Sequence, residues 1–335
     1  MVTKKDISKA SSFLDHSNAS SEGIEEKWAA SNEQWWDWYL SLAQNRDEDA
    51  GPEISLDPLP SLSPPSMNEL SQEHKTAYSL NPEAIEFFQR EGFVKLKQVC
   101  SPASLLMLRG ALDTLFQKAV GKAPAMGFPS LEMMWTIDPI ARLFVLSQRL
   151  AQIAADLLGV DSVRLYHDNA LSKLPGCGRT PWHYDAHHYP IASENVITVW
   201  IPLQPTPKGM GPLSFAKGIE CWRQVADVPF SKFDDSYDRG IIQALSAGKV
   251  PIEDGPFELG EVSFHHTRSV HTAGPNRSSM ARVALATTYI ETGSRLINSP
   301  TLISGDFEKF MPGIQPGDPI ESPLNPIIYT RGEGP

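Results

Sequence analysis

The sequence predicts an α+β protein whose core is a β-sandwich or barrel. Three observations carry this. Capped helical segments dominate the chain from about residue 80 to Gly159. Short β-prone runs separated by Gly and Pro clusters follow from residue 160. The composition, 41% hydrophobic and 21% charged over 335 residues, is that of an ordinary globular chain with room for a sizeable core.

Residues 1–24 are polar and Ser-rich and predict no packed structure of their own. In the next segment Trp28, Trp35, Tyr39 and Leu42 recur at helical spacing. This amphipathic helix either docks on its own main domain or serves a partner or a homo-oligomer. Pro52, Pro58, Pro60, Pro64 and Pro65 then mark a stiff linker. Residues 1–79 are therefore expected to form an N-terminal extension and residues 80–335 the main domain. Asn81-Pro82 opens a helix that Gly92 ends. F-V-K-L-K-Q-V follows with strand alternation. Ser101-Pro102 opens a helix carrying Leu105, Leu108, Leu112 and Leu115 on one face, and Asp138-Pro139 opens a third that runs to Gly159. The strands are S-V-R-L-Y-H, N-V-I-T-V-W-I-P-L, G-P-L-S-F, F-E-L-G-E-V-S-F and R-V-A-L-A-T-T-Y-I. Residues 218–256 interrupt them with a long polar insertion, expected to be a lid. The Pro- and Gly-rich tail from residue 306 is expected to wrap the core.

A net charge of −11 disfavours nucleic acid and anionic membranes as partners. Three widely spaced cysteines, Cys100, Cys177 and Cys221, argue against a disulfide scaffold. No apolar leader or membrane-spanning run is visible, so a cytoplasmic setting is expected.

Seven of nine histidines fall between residues 167 and 271. His183 and Asp185 are two apart, so on extended chain both side chains face one point. A third ligand must come from a facing strand. Two imidazoles and one carboxylate describe the facial triad of non-haem Fe(II) oxygenases, although zinc or manganese could use the same set in a hydrolase or isomerase. His271 follows a strand, and Arg282 begins the next one. A guanidinium there could grip a carboxylate through two parallel hydrogen bonds.

The stretches K-L-P-G-C-G-R-T-P-W-H-Y-D-A-H-H-Y-P, V-W-I-P-L-Q, G-E-V-S-F-H-H and H-T-A-G-P-N-R-S-S-M-A-R resemble the phytanoyl-CoA dioxygenase family of Fe(II)/2-oxoglutarate oxygenases over roughly residues 80–330. The resemblance implies a double-stranded β-helix, a jelly-roll or cupin-like core flanked by helices. It implies Fe(II) held by His183, Asp185 and His271, with 2-oxoglutarate and dioxygen as co-substrates. It assigns the far carboxylate of 2-oxoglutarate to Arg282, a pocket wall to Trp200 and a position beside the co-substrate to Asn169. Many members have Gln where this chain has Tyr184, and Ser where it has Ala273; the missing hydroxyl is expected from Thr272 or elsewhere. His187, His188 and Tyr184 are candidates for substrate contact, and His265 and His266 for packing or support of the ligands. Lys173, Arg179 and Arg223 are read as solvated cations that could alternatively anchor an anionic substrate. The implied activity is hydroxylation of a small molecule, with succinate and CO2 as co-products, or desaturation by the same site. The alternative from another class is a binding protein that docks a partner through its Trp-rich segment.

Overall fold

The computed structural model describes residues 52–120, 127–231, 234–300 and 307–333. The Trp-rich segment lies outside them. In chain order the helices are α1 (Met67–Lys75), α2 (Pro82–Glu91), α3 (Pro102–Val120), α4 (Pro139–Val145), α5 (Gln148–Leu158), α6 (Trp222–Val225) and α7 (Ser236–Ala247). The strands are β1 (Phe93–Leu96), β2 (Ser130–Glu132), β3 (Ser162–Lys173), β4 (Thr180–His183), β5 (Val196–Pro202), β6 (Leu213–Ala216), β7 (Ile252–Glu253), β8 (Val262–His266), β9 (His271–Ala273), β10 (Arg282–Glu291) and β11 (Ile327–Thr330).

The helix signals act as expected, with one exception. Asn81 Oδ1 accepts from Ala84 N at 2.7 Å, and Gly92 ends α2 at φ 82°. Leu105, Leu108 and Leu112 are fully buried along α3. The expected third helix is two: Ser147 breaks it, and its hydroxyl accepts from Leu150 N to cap α5 anew.

The strands form a double-stranded β-helix, two antiparallel sheets face to face. The larger runs β1-β8-β5-β10-β3-β11, with β2 also on β3; the smaller runs β4-β9-β6-β7. Every residue of β5 is buried because both faces of its sheet are covered. Ile197, Val199 and Ile201 point outward to Phe264, Leu285 and Tyr289 and to the helices. Trp200 points inward to Phe215, Phe257 and Ala273, between the sheets. Each such fully buried side chain contributes roughly 1.5–3 kcal/mol. The tail does return to the core: β11 pairs with β3, and Asn325 Nδ2 donates to Leu165 O and Tyr166 O.

Helix α1 precedes the expected boundary at residue 80, yet Leu70 is buried in the main core. His74 lies against Phe144 and shares a 2.9 Å hydrogen bond with Ser147. Burial lowers its imidazole to about 4. Unfolded, it would take up a proton near pH 6.5; folded, it does not until about pH 4. Stability is therefore lost as pH falls through that window, by roughly 3 kcal/mol at most. Urea midpoints measured from pH 7 to pH 4 should fall less steeply in His74→Gln than in wild type.

Candidate metal centre and co-substrate pocket

Strand β4 ends at His183, and its register with β9 sets His183 directly opposite His271. A 3-10 turn, Asp185–His187, starts one residue beyond Tyr184 and swings the carboxylate back toward both rings. One ligand atom from each of His183, Asp185 and His271 lies within 4.8 Å of the other two. The two imidazole centroids are 4.1 Å apart. This is the group that the H-x-D spacing and the distal histidine predict.

The local backbone fixes both rings alike. His183 Nδ1 lies 2.9 Å from Pro181 O, and His271 Nδ1 lies 2.9 Å from Ser269 O. A carbonyl only accepts, so Nδ1 carries the proton and Nε2 presents a lone pair. Burial lowers both imidazoles below their ordinary value and keeps them neutral, the state a ligand needs. Asp185 is the opposite case. Burial alone would raise it, but the His265 hydrogen bond and the His271, His265 and His183 rings hold it well below the usual carboxylate range. Two imidazole lone pairs and a carboxylate facing one point repel each other in a buried site, and a divalent cation would relieve this. A nitrogen–oxygen set of three suits Fe(II), and also zinc or manganese.

A second feature lies on the same inner face. Arg282 opens β10 opposite Lys173 on β3. Both are buried, Arg282 at 1% and Lys173 at 0% exposure. The Arg282 guanidinium carbon lies 5.6 Å from the Phe128 ring and 5.4 Å from the Trp200 ring. Lys173 is thus no solvated cation, contrary to the sequence reading. Its Nζ donates to Gly274 O at 2.8 Å, Thr180 Oγ1 at 3.1 Å and Ala273 O at 3.3 Å, which ties β3 to β4 and to the end of β9. Burial, then Arg282, pushes its ammonium well below its ordinary value.

The turn after β9 is held tightly. Asn276 is fully buried, and its Nδ2 donates to Lys173 O and Met280 O, both at 2.8 Å. Gly211, at φ 75°, allows the turn to approach: a Cβ there would sit 2.3 Å from Gly274 O. Asn169 lies on β3 four residues before Lys173, hence on the same face. Its Oδ1 is buried with no hydrogen-bond partner among the described residues.

Two candidates drop out on strand alternation and packing. Thr272 falls between the inward-facing His271 and Ala273, so its side chain takes the other face, where its hydroxyl donates to Thr180 O. It does not supply the missing hydroxyl. Tyr184 likewise alternates with His183. It packs with Trp222, Val225, Tyr237 and Ile241, and its OH lies 3.3 Å from His187 Nδ1.

The expected polar lid loop is instead a small helical unit. It contains α6, α7 and β7, with Tyr237, Ile241 and Leu245 buried. Asp238 pins it to β4: it pairs with Arg179 and accepts from Trp182 N at 2.7 Å, next to His183. Arg179 is therefore engaged, whereas Arg223 is exposed and pairs with Glu220. His187 stacks on Tyr237 at 5.6 Å in the wall of this unit. His188 reaches closer to the centre, its ring 6.5 Å from His183 and 5.8 Å from Phe230. His265 lies beside the centre, its ring 4.5 Å from that of His271, while His266 faces outward toward Phe88.

Residues 88–284 match the phytanoyl-CoA dioxygenase (PhyH) family model. The chain belongs to the phytanoyl-CoA dioxygenase family. This is a family of iron- and 2-oxoglutarate-dependent oxygenases, and the donor set and buried cations fit both cofactors. A probable alpha-ketoglutarate-dependent hypophosphite dioxygenase of Stutzerimonas stutzeri is 26% identical over 156 residues, 46% of this chain and 52% of that protein. The match thus spans about half the length of that relative. Among solved structures, the alpha ketoglutarate dependent carbocyclase SnoK from nogalamycin biosynthesis superposes with a TM-score of 0.61 at 23% identity, covering 79% of this chain and 99% of that one. EctD from S. alaskensis superposes at 0.56 and 19% identity, covering 86% and 97%. At these identities the likeness shows the fold alone. Among the described residues no helix is long and apolar enough to cross a membrane.

Proposed function

We propose that this protein is an Fe(II)/2-oxoglutarate-dependent dioxygenase that hydroxylates an unactivated C–H bond of a small-molecule metabolite in the cytoplasm. One observation carries the reading: two Nε2 lone pairs and a carboxylate oxygen converge, and a buried guanidinium and ammonium share the inner face of the same sandwich. A hydrolase or isomerase using the same metal ligands has no need of such a pair. A dicarboxylate co-substrate has.

In this reading His183, Asp185 and His271 hold the ferrous ion. Arg282 grips the far carboxylate of 2-oxoglutarate, and Lys173 adds positive potential from behind. Trp200 and Phe128 flank the guanidinium and exclude water, which strengthens the ion pair. Asn169 lies beside the co-substrate. When bound, iron and 2-oxoglutarate together supply an oxidant derived from dioxygen, with succinate and CO2 released. His188 touches the substrate, and the helical unit pinned by Arg179 and Asp238 shields the reacting carbon. Because Asp185 occupies the carboxylate position, no place is left there for a halide, which favours hydroxylation over halogenation.

SnoK is a carbocyclase and SnoN, also from nogalamycin biosynthesis, an epimerase, so the change made to the substrate needs a direct test. Purified protein with Fe(II), 2-oxoglutarate and a metabolite library should form succinate only when iron and 2-oxoglutarate are both present. Under 18O-labelled dioxygen the product of the active compound should gain one labelled oxygen. A product without label would assign desaturation, cyclisation or epimerisation instead. No succinate with any compound, but turnover with zinc or manganese, would move the protein to the hydrolases or isomerases.

A further inference from the structure

Asp185 is held by more than its own backbone. Its Oδ2 accepts from Thr198 Oγ1 at 3.1 Å and lies 3.5 Å from His265 Nε2. Its Oδ1 lies 3.9 Å from His183 Nε2, on the side of the ligand cluster. The sheet register builds this arrangement. Thr198 on β5 is the direct partner of His265 on β8, so both present side chains at one level of the inner face. Thr198 also meets Thr288 on β10, its other cross-strand partner, at 3.0 Å, and Thr288 meets the Tyr189 OH at 3.3 Å. His265 is 2% exposed, and its Nδ1 has no hydrogen-bond partner among the described residues. A carboxylate only accepts, so the tautomer with hydrogen on Nε2 satisfies both groups best.

We propose that His265 is a positioning residue for Asp185: with the Thr198 hydroxyl it occupies Oδ2, so that Asp185 offers the metal Oδ1 alone. A carboxylate free to rotate could bind through both oxygens and fill a coordination position that the co-substrates need. The Thr198 hydroxyl bound to Oδ2, with His265 Nε2 at 3.5 Å from the same oxygen, opposes that. His265 itself stands outside the group whose ligand atoms lie within 4.8 Å of one another, so it acts through Asp185. The inference rests on the metal reading above and extends it to a residue that binds neither metal nor co-substrate.

The test uses Co2+ as probe in the metal-free, full-length protein, without turnover. His265→Phe keeps a ring and removes the donor. Its Co2+ affinity should fall by about 10- to 100-fold, and its d–d absorption bands should shift as the coordination number changes. His265→Gln, which keeps an N–H donor, should restore most of the affinity and the wild-type bands. His265→Phe with wild-type affinity and spectrum would overturn the proposal. Circular dichroism and thermal melting of the metal-free variants check the fold. Should His265→Phe not fold, His265→Ala with added imidazole replaces it: return of the wild-type spectrum with imidazole supports the role, and a wild-type spectrum without imidazole overturns it. Wild type that fails to bind either Co2+ or Fe(II) would defeat the metal reading itself, a separate result.

Discussion

Replacing Arg282 with Met should raise the KM for 2-oxoglutarate by about 10²- to 10³-fold, as expected when one partner of a buried charge pair is removed at a cost of roughly 3–4 kcal/mol. Arg282 is buried between Phe128 and Trp200, so water cannot replace the lost hydrogen bonds. Arg282→Lys keeps the charge but not the planar fork and should fall between the two. Fe(II) affinity in the absence of 2-oxoglutarate should be unchanged, because the proposed function puts Arg282 on the co-substrate and not on the metal. Steady-state succinate formation and anaerobic Fe(II) titration measure the two halves separately. An unaltered KM in a folded Arg282→Met would remove Arg282 from the role of carboxylate partner.

The second large effect concerns Asp185. Asp185→Asn should abolish succinate formation and weaken Fe(II) binding by more than the roughly 10- to 100-fold typical of an outer-shell partner. The carboxylate is the single anion among four adjacent groups, with His183, His265 and His271 around it. An amide leaves the cation facing imidazoles alone. Thermal melting gives a readout independent of turnover. Wild type should gain stability on adding Mn2+, rising as RT ln(1 + [Mn2+]/Kd). Asp185→Asn should gain little or nothing. A variant stabilised as much as wild type would show that the ion binds elsewhere.

Much of this site could be read before any coordinates. His183 and Asp185 announced themselves by their two-residue spacing on extended chain, and Arg282 by its place at the start of a strand after His271. Other residues gave misleading signals. Lysines are rarely fully buried, so Lys173 looked solvated. Alternation from Asn169 along β3 would have turned it inward. Thr272 looked suitable because it adjoins His271, yet adjacency on a strand means opposite faces. The insertion at 218–256 looked like loop because it is polar, but Tyr237, Ile241 and Leu245 recur every four residues, the mark of a helix. Phe128, beside the guanidinium, gave no signal at all.

Two kinds of information are involved. Backbone periodicity, caps and the identity of donor atoms are local, so the sequence alone determined most of the helices and strands and the residue types of the candidate site. Which side chains meet across strands depends on register between segments far apart in the chain. Only the tertiary structure therefore decided that His183 faces His271, that Arg282 lies beside Lys173, and that Thr198 and His265 both reach one oxygen of Asp185. The physical reason is that a shift of one residue in pairing turns every side chain of a strand to the other face, and no short stretch of sequence records that choice.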